Sequence, residues 1–130
     1  MGFFKRGKPL ILVVEDEADI ADSIDARLYL AGYEIAVARN GKEGVEKARA
    51  LLPDLMVLDV MMPKVDGFEV CRIVKGEEKT KKIPVLMLTA LQSMGDIDRA
   101  FEVGANDYLS KPFTNERLLA KVKKLLTKTD

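Results

Sequence analysis

Short apolar runs recur along the chain and constrain its fold more than any other feature. The runs at residues 10–14, 55–58 and 85–88 are apolar without alternation. That pattern is typical of strands covered by helices on both faces, so these runs are predicted to be the central strands of a parallel sheet. The runs at 33–38 and 107–109 are more mixed or shorter, and we expect them to be edge strands.

The stretches between these runs have the apolar spacing of helices. Ile20, Ile24 and Leu28 repeat every four residues, and similar stripes recur in the later stretches. Each stripe would bury one helix face, and strands that alternate with such helices indicate repeated βα units. The sequence therefore predicts a single doubly wound α/β domain, with strands near 10–14, 33–38, 55–59, 84–88 and 107–110 and helices near 18–31, 41–51, 67–76, 95–103 and 115–127.

Residues with capping chemistry stand at the predicted helix ends. Asn40 with Glu43 resembles a cap with its N3 partner, and so does Ser93 with Asp96. Thr114 can cap the last helix, and the Asp66-Gly67 pair breaks the chain before the third helix. Helix C-caps favour glycine, because it adopts a left-handed backbone conformation without a steric penalty. Gly32 and Gly104 stand at two predicted C-caps.

Composition limits the chemistry available to this chain. Its 130 residues suffice for one domain, and the absence of histidine excludes His-based acid/base catalysis, Ser–His and Cys–His nucleophiles and His-ligated zinc. The single cysteine, Cys71, excludes an internal disulfide. Basic and acidic residues number 21 each, so direct nucleic-acid binding through a basic field is not expected.

Residues 1–8 are predicted to be a basic N-terminal tail and residues 9–130 the folded domain. The tail carries Lys5, Arg6 and Lys8, and we interpret it as a solvated segment or the remnant of a longer protein. No apolar run reaches the ~18 residues that span a bilayer, and no signal-peptide core is present. A cytoplasmic location is therefore expected.

Polar residues with useful chemistry follow four of the five predicted strands. Glu15 and Asp16 follow the first strand, Asp59 ends the third, Thr89 ends the fourth, and Lys111 follows the fifth. In an open parallel sheet, ligands bind outside the carboxyl ends of the strands. We therefore expect these five side chains to share one edge of the sheet.

Three carboxylates and one lysine at this edge would repel one another unless a proton or a cation is bound. An Mg²⁺ ion suits this ligand set, because it takes oxygen ligands and needs only one or two carboxylates beside water and phosphate oxygens. The alternative is that Glu15, Asp16 and Glu17 only favour the start of a helix, where acids interact with the helix dipole.

Asp59 is the candidate nucleophile of this edge. A carboxylate held beside a metal can accept a phosphoryl group as a mixed anhydride. Lys111 would then balance the phosphoryl charge, and the Thr89 hydroxyl would hydrogen-bond one of its oxygens. The alternative for Thr89 and Lys111 is an ordinary cap or a solvated side chain.

The motifs closely resemble those of the receiver domain of bacterial two-component response regulators, of the chemotaxis-regulator type. The resemblance covers essentially the whole chain and rests on Ile11-Leu12-Val13-Val14-Glu15-Asp16-Glu17, Leu58-Asp59-Val60-Met61-Met62-Pro63, Asp66-Gly67, Leu88-Thr89-Ala90 and Tyr108-Leu109-Ser110-Lys111-Pro112-Phe113. It implies a flavodoxin-like (βα)5 fold with a five-stranded parallel sheet of order 2-1-3-4-5.

The resemblance also implies roles for the metal-site residues. Asp59 would be the phosphoacceptor, and Asp16, Asp59 and the Met61 carbonyl would ligate Mg²⁺. Glu15 would help through water. Many members of the family have aspartate where this chain has Glu15, which puts the details of metal coordination in doubt.

The remaining implied roles concern the switch. Thr89 and Lys111 would be the switch hydroxyl and the site lysine, and Tyr108 the aromatic side chain that turns on phosphorylation. The bond between Lys111 and Pro112 is predicted to be cis, because Lys111 must turn back toward Asp59. The output face would comprise the fourth helix, fifth strand and fifth helix, roughly residues 91–127.

The resemblance implies a phosphohistidine donor, supplied by a sensor histidine kinase or a histidine phosphotransfer protein. Such a domain catalyses only its own phosphorylation and dephosphorylation, so it is not an enzyme in the usual sense. Its output partner or output domain is unknown, and homodimerisation through residues 91–127 is a further possibility.

Three alternatives stay open from the residues alone. A pseudo-receiver would bind partners without phosphorylation. A flavodoxin-like electron carrier has the same architecture, but the acidic loop after the first strand would repel a flavin phosphate. A phosphatase with an Asp nucleophile would need a second acid two residues on, where Met61 stands.

Overall fold

A computed structural model describes residues 7–60, 66–89 and 94–127. Within these ranges five strands alternate with five helices: β1 Leu10–Val14, α1 Ala18–Leu30, β2 Glu34–Ala38, α2 Gly41–Leu51, β3 Leu55–Asp59, α3 Gly67–Gly76, β4 Val85–Thr89, α4 Met94–Glu102, β5 Asp107–Ser110 and α5 Asn115–Thr127. The predicted alternation is confirmed, and each predicted boundary lies within one residue of the observed one.

The five strands form one parallel sheet in the order β2-β1-β3-β4-β5. This is the predicted order, with β2 and β5 at the edges. Every residue of β1, β3 and β4 is buried, whereas both edge strands are partly exposed. Because β2 pairs on one side of β1 and β3 on the other, the strand order reverses at β1. The carboxyl ends of β1 and β3 therefore flank the crevice where such sheets bind ligands.

The core consists of two apolar layers, one on each face of the sheet. Leu12 and Val14 of β1 face the layer formed with α2, α3 and Ala100 of α4. Ile11 and Val13 face the layer formed with α1 and α5. Successive strand residues point to opposite faces, and both faces are covered. This explains why the central strands are apolar at every position before the polar residues that end β3 and β4.

The predicted Asn40 cap at the start of α2 is confirmed. The Asn40 side chain accepts a hydrogen bond from the Glu43 N–H at 2.8 Å, as expected of an N-cap. The Glu43 carboxylate does not return the bond to Asn40. It accepts instead from the Arg39 N–H at 2.7 Å, one residue earlier, so the capping pair reaches back to the end of β2.

Two further side chains cap helices, of which Thr114 was predicted to do so. The Asp66 side chain accepts from the Glu69 N–H at 3.0 Å, and Thr114 Oγ1 accepts from the Arg117 N–H at 3.1 Å. Ser93 lies outside the described residues, so its predicted pairing with Asp96 stays a prediction.

Both predicted glycine C-caps are confirmed, because Gly32 and Gly104 each have φ of +102°. Of the predicted basic tail, only residues 7 and 8 are described. None of the described helices combines the length and the hydropathy needed to cross a bilayer.

Candidate functional site

Three carboxylates meet at the carboxyl ends of the two central strands β1 and β3. Glu15 and Asp16 directly follow β1, and Asp59 is the last residue of β3. One carboxylate oxygen from each lies within 4.8 Å of the other two. Glu15 and Asp59 are buried, whereas Asp16 is partly exposed. The predicted grouping of these side chains is present, and we call these three residues the acidic cluster.

Lys111 reaches the acidic cluster from the end of the edge strand β5. It follows β5 directly, and its Nζ lies 3.1 Å from Asp59 Oδ1. Its backbone N–H donates to the Thr89 carbonyl at 2.7 Å, and the Lys111–Pro112 peptide bond is cis, as predicted. The cluster is therefore only partly neutralised by protein charge.

Two buried polar atoms at this edge of the sheet lack a protein partner among the described residues. They are Glu15 Oε1 and the Thr89 hydroxyl. Nearly all buried polar atoms in folded proteins are hydrogen-bonded, so such exceptions require an explanation. A cation near Glu15 and an anionic oxygen near Thr89 would satisfy both atoms. The donor set therefore fits a metal ion together with a phosphoryl group.

Burial dominates the electrostatics of Glu15. Desolvation raises the pKa of this carboxyl from 4.5 to about 7. The hydrogen bond from the Glu17 N–H acts in the opposite direction, and the negative charge of Asp59 adds to the increase. Full ionisation of the cluster is therefore unfavourable without a positive charge, and this condition favours the binding of a cation.

Residue 67 must be glycine because it lies directly against the backbone of Asp59. The sequence indicates only that Gly67 belongs to a chain break before α3. A Cβ at this position would lie 2.4 Å from the Asp59 carbonyl oxygen and 2.7 Å from Val60 Cα. Both contacts are to backbone, so no side-chain movement can relieve them. The available signal was the Asp66-Gly67 pair itself, but a tight approach cannot be distinguished from a simple helix start without the fold.

Two further predicted site residues have different outcomes. Met61 lies outside the described residues, so its predicted role as a carbonyl ligand stays a prediction. Tyr108 lies in β5 opposite Met87 and is partly buried. Its ring makes an edge-to-face contact with Phe101 of α4, with centroids 6.1 Å apart and an interplanar angle of 84°.

Fold and site together define a doubly wound α/β domain with an acidic, lysine-containing site at the carboxyl ends of its strands. The family model for the response regulator receiver domain matches residues 11–123. The chain therefore belongs to the response regulator receiver domain family, whose members are signalling domains.

Individual proteins agree with this assignment. The chain is 48% identical over 122 residues to the DNA-binding dual master transcriptional regulator RpaA of Synechocystis, covering 94% of this chain and 51% of that protein. The chain thus spans about half the length of the curated relatives it matches.

Solved structures share both sequence and fold with the chain. A putative response regulator from Chloroflexus aurantiacus is 37% identical, with a TM-score of 0.89 over 93% of this chain and 99% of that one. The receiver domain of the sensor histidine kinase PA1611 from Pseudomonas aeruginosa is 29% identical, with a TM-score of 0.85 over 92% and 98% of the two chains. That receiver domain has a magnesium ion coordinated in its active-site cleft.

Proposed function

We propose that Asp59 accepts a phosphoryl group and that this modification switches the contacts of the domain with a partner. One observation carries the proposal: the buried Asp59 carboxylate lies between two further acids and the Lys111 ammonium, 3.1 Å away. A nucleophile, countercharge and metal ligands thus occupy one edge of the sheet. This combination is what phosphoryl transfer requires, because its catalysis consists of positioning and charge stabilisation.

The acidic cluster is the proposed Mg²⁺ site. Asp16 and Asp59 would provide oxygen ligands, Glu15 would act through water, and the Met61 carbonyl is the remaining predicted ligand. When bound, the ion would offset the negative charge of the carboxylates and of the incoming phosphoryl oxygens. The magnesium ion in the PA1611 receiver domain supports the assignment by similarity.

The transfer itself uses this chain's own groups. A carboxylate oxygen of Asp59 attacks the phosphorus of a phosphohistidine, forming a P–O bond as the P–N bond breaks. The electron pair of that bond returns to the donor imidazole. Lys111 then pairs with a phosphoryl oxygen, and the Thr89 hydroxyl, which has no described partner, donates a hydrogen bond to another.

The proposed partners follow from the chemistry. The donor is a sensor histidine kinase or a histidine phosphotransfer protein in a phosphorelay, since this chain has no histidine of its own. The domain would catalyse only its own phosphorylation and dephosphorylation.

The proposed boundaries are a basic tail at 1–8 and the receiver domain at 9–130, and the proposed location is the cytoplasm. DNA binding is a property of the RpaA relative, and with no net charge this domain is not expected to bind DNA itself.

The proposed output face comprises α4, β5 and α5. Movement of the Thr89 hydroxyl toward the phosphoryl group would free space into which Tyr108 can turn. The contact between Tyr108 and the half-exposed Phe101 supports this, because turning of Tyr108 would change an accessible apolar surface. An output partner, or a second copy in a homodimer, would respond to that change.

The test of the proposed function is chemical phosphorylation followed by intact-mass spectrometry. With Mg²⁺ and phosphoramidate, the wild-type chain should gain one phosphoryl group, and Asp59→Asn should gain none. Asp107→Asn is the matched control, because Asp107 is also a partly buried acid that pairs with a lysine, Lys121, at 2.9 Å. Full phosphorylation of Asp59→Asn would refute the assignment. A wild-type chain that binds Mg²⁺ without being phosphorylated would support the pseudo-receiver alternative.

A further inference from the structure

Arg39 contacts the acidic cluster from the neighbouring edge strand. It follows β2 directly, and its Nη2 donates to the main-chain carbonyl oxygen of Asp16 at 3.1 Å. The two loops meet because β1 and β2 pair in register, and the Glu15 N–H donates to the Ala38 carbonyl at 2.9 Å. No sequence signal pointed to this contact.

The hydrogen bond from Arg39 is made to one particular peptide group. The Asp16 carbonyl and the Glu17 N–H belong to the same planar unit. The Glu17 N–H donates to Glu15 Oε2 at 3.2 Å. Arg39 therefore holds one end of a rigid group whose other end is bound to a carboxylate of the acidic cluster.

The orientation of this peptide group affects two of the three carboxylates. The Asp16 side chain is attached directly beside it, and the Glu15 carboxylate is hydrogen-bonded to it. Within the described part of the chain, no hydrogen bond is made to the Asp16 carboxylate itself. The position of that side chain therefore depends on its backbone, which Arg39 holds.

Arg39 is itself anchored at the start of α2. Its N–H donates to Glu43 Oε1 at 2.7 Å, and the Glu43 carboxylate also pairs with Lys47 Nζ at 3.0 Å. The guanidinium therefore extends toward Asp16 from a backbone that is held in place. A group of this kind can restrain a loop rather than move with it.

We propose that Arg39 is a positioning residue for the Mg²⁺ site. By holding the peptide group between Asp16 and Glu17, it keeps the Asp16 and Glu15 carboxylates in the cluster before the ion arrives. The proposal rests on the proposed function, because it takes the acidic cluster as the metal site. Groups that orient metal ligands contribute to affinity by reducing the freedom that the ligands lose on binding.

Position and charge make opposite predictions for Arg39. A cation near a metal site repels Mg²⁺, although solvent screens that repulsion at an exposed residue. If Arg39 acted only through its charge, its removal would tighten Mg²⁺ binding. If it acts through the hydrogen bond to Asp16, its removal weakens binding. The sign of the change therefore separates the two explanations.

The experiment is Mg²⁺ titration by calorimetry on wild type, Arg39→Ala, Arg39→Lys and Lys42→Ala. Loss of the Asp16 hydrogen bond in Arg39→Ala should weaken Mg²⁺ binding roughly three- to tenfold, at or below the low end of the range for outer-shell groups, because Arg39 is exposed. Arg39→Lys keeps the charge and should fall between that variant and wild type. Lys42→Ala removes an exposed cation from the first turn of α2, and its Mg²⁺ affinity should be unchanged or slightly higher.

Two additional readouts separate positioning from a general structural effect. Melting temperatures in EDTA should be the same for Arg39→Ala and wild type. Phosphorylation by phosphoramidate should need more Mg²⁺ for half-maximal rate but reach the wild-type rate at saturation. If wild type binds Mg²⁺ and Arg39→Ala binds it equally or more tightly, only the positioning role is overturned. Absence of Mg²⁺ binding in wild type would overturn the metal site and the positioning role together.

Discussion

The Lys111 ammonium and the Asp59 carboxylate form an ion pair at 3.1 Å that extends across the sheet. Asp59 ends β3 and Lys111 follows β5, so the lysine side chain passes over the end of β4, which lies between these strands. The Asp59 side chain is almost fully buried, whereas about a quarter of the Lys111 side chain is exposed. The lysine therefore lies where its positive charge can balance a phosphoryl group on Asp59.

Lys111→Ala should bind Mg²⁺ more tightly than wild type. The substitution removes a positive charge that opposes the ion, which we expect to change the binding free energy on the order of 1 kcal/mol, or about fivefold in affinity. Calorimetric titration would measure the change. Lys121→Ala is the matched control, because Lys121 pairs with Asp107 at 2.9 Å and is similarly exposed. Equal effects of the two substitutions would contradict a specific role of Lys111.

Thr89→Val should leave the stability of the unphosphorylated chain unchanged or raise it by up to about 1 kcal/mol, because the buried hydroxyl has no described partner to lose. Thr80→Val is the control. Thr80 is also buried, but its hydroxyl donates to the Val74 carbonyl at 2.7 Å, so this substitution should cost about 1 kcal/mol. Urea unfolding in EDTA measures both. A larger loss in Thr89→Val than in Thr80→Val would show that Thr89 is already satisfied.

Gly67→Ala should destabilise the domain by about 2 kcal/mol or more, because the added methyl group would overlap the backbone of Asp59 and Val60. Gly76→Ala is the internal control at the other end of α3. No atom lies within 4 Å of a Cβ there, so the substitution should stabilise the domain by about 0.5–1 kcal/mol. Thermal unfolding of the pair tests the contrast, and similar melting temperatures would mean that the close approach at Gly67 is easily relieved.

Glu15 should make the metal-free domain less stable as pH rises. The native state holds the Glu15 proton more tightly, with a pKa of about 7 against 4.5 for a solvent-exposed carboxyl in the unfolded chain. Its stabilising contribution is therefore complete below pH 4.5 and is lost as pH rises through 7. The stability of Glu15→Gln relative to wild type should therefore increase as pH rises from 4 to 8, by on the order of 3 kcal/mol. Urea unfolding in EDTA at a series of pH values measures this difference.

Glu17→Gln is the control for that series, because Glu17 is exposed and adjacent. Its stability relative to wild type should change little with pH. Added Mg²⁺ should raise the stability of the wild-type chain most at high pH, where Glu15 is ionised. A stability difference between Glu15→Gln and wild type that stays constant across the pH range would contradict the shifted pKa.

The sequence predicted both the strands and the polar groups at their ends, for a physical reason. Strands buried on both faces must be apolar throughout, so a polar residue such as Asp59 or Thr89 is visible where the run ends. Local hydrogen bonding likewise made the Asn40 cap predictable, because the accepting side-chain oxygen and the donating Glu43 N–H are three residues apart. The contact of the Glu43 carboxylate with the Arg39 N–H was not predicted, because it depends on where β2 ends relative to α2.

The amino-acid sequence by itself thus determined the βα alternation, the burial of β1, β3 and β4, and the identity of the polar groups at their ends. These properties depend on side-chain chemistry and on neighbours only a few residues away. Only the tertiary structure set the 3.1 Å distance of the predicted approach of Lys111 to Asp59, 52 residues away. It alone showed that Gly67 lies against the Asp59 carbonyl and that Arg39 holds the Asp16 carbonyl. Such contacts arise where separate loops meet at one edge of the sheet, and their distances are set by strand order and packing rather than by spacing along the chain.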